Sequence, residues 1–259
     1  MVPSLVFGLA GGCGAEAEKP PWELAELSAA EGVSFRIAPF EVPPGREEQT
    51  CFFVRVPDVN SGQDFWVNHV RAGMNPGSHH LNVFRVRTIV NLGPDTGTAT
   101  KLGPYDATVI YGHDDYAHST CWDSANWADW PLVSNTQTAA LGSPFTDWQM
   151  PDNVALRFTP GEWLMIQSHY VNTTDQPTPS GGRVGINFYR TAQTSPQEIG
   201  TLFATQQSIR ICRSNPDVTF SGTCRFPGSV TITAANGHFH KRGFQFRMYT
   251  WDGASVSHP

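Results

Sequence analysis

Nine histidines occur in this chain of 259 residues, and five of them fall in patterns that suit metal chemistry. The most specific pattern is His238-Phe239-His240. On a strand, residues i and i+2 project from one face, so two imidazoles stand side by side and can chelate one ion. Neutral imidazole nitrogens suit copper, zinc, iron or nickel. The plainer reading of the same pair is a polar cross-strand contact. His79-His80 opens an apolar run directly after Asn75-Pro76-Gly77-Ser78. Adjacent residues on a regular strand face opposite ways. Both therefore reach one ion only at a strand end or a twist, and the preceding turn offers that. His169 sits in Met165-Ile166-Gln167-Ser168-His169-Tyr170-Val171-Asn172, whose apolar neighbours predict an interior strand. Alone it reads as a hydrogen-bonded core histidine. His113 and His118 belong to a polar loop, His69 reads as structural and His258 as terminal. No His-Glu-x-x-His pattern points to a zinc hydrolase.

Such side chains need short strands to position them, and the composition supplies the means. There are 24 glycines and 20 prolines, with 39% hydrophobic residues, 16 Phe and 8 Trp. That combination favours many turns between short, well-buried strands. Period-two alternation predicts strands at Ser34–Ile37, Thr50–Val56, Phe65–Ala72, His79–Val90, Val154–Thr159, Trp163–Asn172 and Gly182–Thr191. Residues 93–150 read as loops with short strands, and Trp22 to Ala30 as one short helix. Residues 192–200 read as a linker, with further strands at 200–204, 208–212, 229–234 and 238–251. The pattern is all-β, a β-sandwich. Residues 1–32 form a signal-like segment and tether, 33–191 the first domain, and 192–259 a second domain too short to close a comparable sandwich.

The net charge is −6 and only 15% of residues are charged, so no basic face for nucleic acid is expected. No apolar run reaches the roughly 20 residues of a membrane span. Leu9-Ala10-Gly11-Gly12-Cys13 looks like the lipidation box of a bacterial exported lipoprotein, without the basic segment that usually precedes one. Export to the periplasm or cell surface is expected, with the membrane touched only through a lipid anchor at Cys13. Cys51, Cys121, Cys212 and Cys224 remain, an even number that fits disulfides in an oxidising compartment. Three pairings exist. Cys212–Cys224 is favoured because the two flank one short polar loop, a closure worth about 3 kcal/mol. Cys51 is then left with Cys121. Asn172-Thr173-Thr174 is a formal glycosylation sequon, expected to be unused.

Taken together, three segments resemble a known family. Asn75-Pro76-Gly77-Ser78-His79-His80-Leu81-Asn82-Val83-Phe84, then Gln167-Ser168-His169-Tyr170, then Gly237-His238-Phe239-His240-Lys241-Arg242-Gly243 are similar in order and spacing to the type II copper, ascorbate-dependent monooxygenases. Dopamine β-monooxygenase and peptidylglycine α-hydroxylating monooxygenase are members. The resemblance runs from about Val33 to Trp251 and looks closest to bacterial, lipoprotein-like relatives. It implies two jelly-roll-type β-sandwich domains in tandem, the second incomplete here. It implies an electron-donating copper on His79, His80 and His169, and a second, oxygen-binding copper on His238 and His240. Ascorbate would be the reductant, and a small molecule or peptide the hydroxylated substrate. The family's third ligand at the second copper is a methionine in a Met-Cys segment, which does not occur before Pro259. Met248 lies eight residues from His240, roughly 26 Å along an extended strand, and reads as packing. The same residues also fit a non-catalytic exported protein that keeps only the first copper site.

Overall fold

Strands form where apolar and polar residues alternate and both sheet faces find cover. The computed structural model describes residues 19–37, 40–87, 110–111, 130–137, 145–176, 184–202, 204, 209–212, 218–235, 237 and 243–257. The chain divides into two units, Met1–Phe203 and Ala204–Pro259. The first is all-β. Its described strands are β1 (Gly32–Arg36), β2 (Glu47–Arg55), β3 (Phe65–Met74), β4 (Ser78–Arg85), β5 (Ile110–Tyr111), β6 (Leu132–Gln137), β7 (Phe145–Gln149), β8 (Val154–Phe158), β9 (Trp163–Val171), β10 (Val184–Arg190) and β11 (Gln197–Glu198).

These strands build a β-sandwich. One sheet runs β1-β10-β3-β8-β11, with β7 also paired to β3, and is mixed because β11 lies parallel to β8. The other runs β5-β2-β9-β4-β6 and is antiparallel. The inner faces share one apolar core. Phe188 meets both Phe35 and Phe158 edge to face there, and Phe65 meets Phe158 in the same way. Edge-to-face pairs match the ring quadrupoles and stabilise by about 0.5–1.5 kcal/mol beyond burial.

The central strand β9 is buried on both faces. Leu164, Ile166 and Tyr170 point into the inter-sheet core. Met165 points the other way, into a second cluster with Cys51, Phe84 and Trp130. Asn172, just past β9, is buried, and its Nδ2 donates to the carbonyls of Val42 and Gln176 at 2.8 and 2.9 Å. The sequon asparagine is thus enclosed and hydrogen-bonded.

Two sequence expectations fail in the first unit for tertiary reasons. Trp22 to Ala30 is not a helix. A helix needs each carbonyl for the amide four residues on. Here Arg36 Nη2 donates to the Leu24 and Ala25 carbonyls at 3.1 and 3.0 Å, and Asn187 Nδ2 to that of Ala25 at 2.9 Å. The segment is strapped across the sheet, and Gly73 makes room: a Cβ there would lie 2.0 Å from the Trp22 carbonyl oxygen. Residues 192–200 are not a free linker either. The Gln197 and Ile199 amides donate to the Asn153 and Ala155 carbonyls, and Ile199 packs on the core.

The expected strands of the second unit are absent among its described residues, which carry a single named bridge, Trp251 to Val256. Phe244 is 83% exposed, and Phe246, Met248 and Trp251 are exposed as well. A strand whose apolar face lacks cover gains too little to hold its ladder. No helix among the described residues is long and apolar enough to cross a membrane.

On the outer face of the first sheet, His69 stacks on Tyr189 and hydrogen-bonds Asp147, which also pairs with Arg71 at 2.7 Å. Arg71 foremost, and then His69, hold the Asp147 carboxyl below its usual range, against an opposing effect of burial. A depressed carboxylate contributes stability above its unfolded pKa of about 3.9, and this is lost as pH falls through the lower folded value. The pair is half exposed. Asp147→Asn is therefore expected to cost within ~1 kcal/mol near neutrality, shrinking below about pH 4. Urea melts at both pH values measure it; an equal cost in acid contradicts it.

Candidate metal centre

The site begins with a turn. The Ser78 amide donates to the Asn75 carbonyl at 3.1 Å, and Gly77 has φ +94°. Pro at the second and Gly at the third position suit a type II turn. Tyr170 fastens it: its hydroxyl donates to the Pro76 carbonyl at 2.6 Å, and the Val171 amide to that of Gly77 at 2.9 Å.

Beyond the turn, β4 pairs with β9 through a register shift. Ser78 stands opposite Tyr170 and His80 opposite His169, so His79 is the extra residue of a bulge. A bulge leaves one residue unpaired and re-aims its side chain. Two adjacent histidines can then serve one point, which a regular strand forbids. His80 and His169 are buried, each 6% exposed, on the outer face of the antiparallel sheet, while His79 is exposed.

The three rings converge. His79 Nδ1 lies 3.0 Å from His80 Nδ1, and His169 Nδ1 lies 3.3 Å from His80 Nδ1. One ligand atom from each ring falls within 4.8 Å of the others, an arrangement that could hold a metal ion. With metal–imidazole bonds of about 2.0–2.1 Å, two nitrogens sharing an ion stand about 2.9–3.4 Å apart at angles between about 90° and 110°. The two separations through His80 fall in that window, while the set as a whole spans up to 4.8 Å, so binding one ion would draw the outer rings closer. Bare imidazole nitrogens aimed at one point repel one another through their lone pairs, and a cation between them relieves that.

The surroundings continue along the same face. The next rung holds Asn82 and Gln167, with Asn82 Nδ2 donating to Gln167 Oε1 at 2.9 Å and Asn135 Nδ2 donating to Asn82 Oδ1 at 2.6 Å. Below it stand Phe84 and Met165, with Cys51 and Trp130. On β2, Gln49 opposes His169, and Glu47, two residues away, hydrogen-bonds His169 Nε2 through Oε1. Gln49 and the amides were missed in the sequence, as was Glu47. The alternation Glu47-x-Gln49-x-Cys51 puts those three on one face, but nothing local says that this face meets His169.

The structure thus brings together His79, His80 and His169. His238 and His240 lie outside the described residues, as do Cys13, Cys121, His113, His118 and His258. Cys51 is disulfide-bonded, and its partner is outside the described residues. The expected Cys212–Cys224 bridge is not formed: both are exposed free thiols. They lie in the unit whose described residues form no strand, so among those residues no ladder draws the two sulfurs together. Comparison with protein-family models and with curated proteins finds no match to this chain.

Proposed function

We propose that this chain is a copper-dependent monooxygenase that hydroxylates a C–H bond with oxygen and ascorbate, or another one-electron donor. In this reading, the β-sandwich carries the electron-donating copper centre. The observation that supports it most is the bulge at His79, which lets an adjacent histidine pair and a histidine 89 residues further on present three nitrogens to one point. Imidazole donors suit copper, and copper supplies one-electron exchange when bound. The chain's own residues set the donor spacing. His80 and His169 keep their side of the site dry, and exposed His79 leaves an approach for a small reductant. His238 and His240 are the proposed ligands where the small-molecule or peptide substrate is hydroxylated. Export, with an anchor at Cys13, belongs to the same proposal, and the disulfide at Cys51 supports an oxidising compartment.

The completeness of the three-nitrogen set within one sandwich favours a second reading, a non-catalytic exported copper-binding protein. Copper retained after dialysis, with ascorbate-dependent oxygen uptake matched by hydroxylated product, supports the enzyme. Retention without coupled product supports the binding protein. Loss of all copper on dialysis sinks both.

A further inference from the structure

We infer that Glu47 is a positioning residue that holds His169 in the one tautomer able to offer Nδ1 to the metal; the inference rests on the metal-site reading above. A neutral imidazole carries one proton, and the partner of one nitrogen decides the state of the other. An ionised carboxylate only accepts hydrogen bonds. Glu47 Oε1 is bonded to His169 Nε2, so the proton belongs on Nε2 and Nδ1 is left bare. That bare Nδ1 is the atom 3.3 Å from His80 Nδ1. Carboxylate, imidazole and ion in a row is a recurring second layer of metal sites, and it also raises the basicity of the ligand.

The sheet makes this contact specific. Gln49 opposes His169, and Glu47 is the next residue on that face of β2, a diagonal neighbour within reach of a long side chain. The two nitrogens of one ring point apart, so a carboxylate on Nε2 does not also face the ion at Nδ1. Glu47 is therefore a support and not a fourth ligand. Its side chain is 61% exposed at the start of a strand, so replacing it leaves the core intact.

The test uses the full chain. In the metal-free, 15N-labelled protein, ring nitrogen shifts above the ordinary imidazole range of pH should show His169 protonated at Nε2. Glu47→Ala should give a mixture of tautomers and weaken copper retention against a chelator by about 10- to 100-fold. Glu47→Gln, whose amide oxygen still accepts the bond, should restore the tautomer and most of the affinity. A proton on Nδ1 in the wild type overturns the inference, as does a Glu47→Ala variant with unchanged spectrum and affinity. Failure of Glu47→Gln to restore the wild-type tautomer also overturns it. If the wild type holds no copper, the metal-site reading fails, while the ring spectrum still decides the role of Glu47.

Discussion

Replacing His169 by alanine should lower copper affinity by more than ~100-fold, the upper end of what losing a mere supporting contact costs. His80→Ala should match it, because both residues are buried donors on opposed positions of β4 and β9. His79→Ala should cost less, since its ring is exposed and a water can take its place. Stability separates the ligand role from a packing role. An ion at 100 times its dissociation constant stabilises the native state by about 2.7 kcal/mol, and this increment vanishes when the ion no longer binds. Without metal, each variant should lose only an ordinary ~1 kcal/mol, because all three rings lie outside the inter-sheet core. Thermal melts with and without copper read both quantities. If His169→Ala keeps the copper-dependent shift, His169 is a core histidine and the site is misassigned.

Gly77→Ala should be strongly damaging to the first unit. The added Cβ would lie 2.3 Å from both Cζ and Oη of Tyr170, at a φ of +94°. The ring cannot step aside, since Tyr170 is buried and its hydroxyl is bonded to Pro76. Backbone strain of about 1–2 kcal/mol and overpacking of about 1–3 kcal/mol together give a loss of roughly 2–5 kcal/mol. The turn sets the bulge, so metal retention should fall as well. Gly45→Ala is the control: its φ is +65°, but nothing lies within 4 Å of the new Cβ. Only the backbone cost remains there. Equal denaturant midpoints for the two variants would show that Tyr170 does not lock the turn.

The strands rich in apolar residues were legible in the sequence, among them β2, β3 and β9, of which β3 alternates and β9 is an apolar run buried on both faces. Alternation reports directly on which face is buried. β6 and β7 fall in the stretch read as loops with short strands, where apolar, polar and turn-forming residues mix and no period dominates. β11 was not legible because two residues gain strand geometry only by pairing with β8. The Trp22–Ala30 segment went wrong because Arg36 and Asn187 capture its carbonyls from the sheet, a fact no local propensity contains. The three histidines were legible as a set. The bulge that unites them was not, because it exists only in the register between Ser78–His80 and His169–Tyr170. The Cys212–Cys224 expectation rested on loop length alone, and short separation in sequence does not orient two thiols.

The opposed placement of His80 and His169 has a mechanical consequence. Two of the three donors stand on neighbouring strands of a packed sheet, where Cβ atoms face each other at about 4.5–5.5 Å. Their bite is set by the ladder and not by the guest. Beneath them Asn135 donates to Asn82 and Asn82 to Gln167, so the floor of the site is dipolar and uncharged. A scaffold of that kind selects by fit more than by raw affinity. If the proposed copper is bound there, such a scaffold would also let the charge at its centre change with little movement of the surrounding nuclei, which keeps reorganisation energy low.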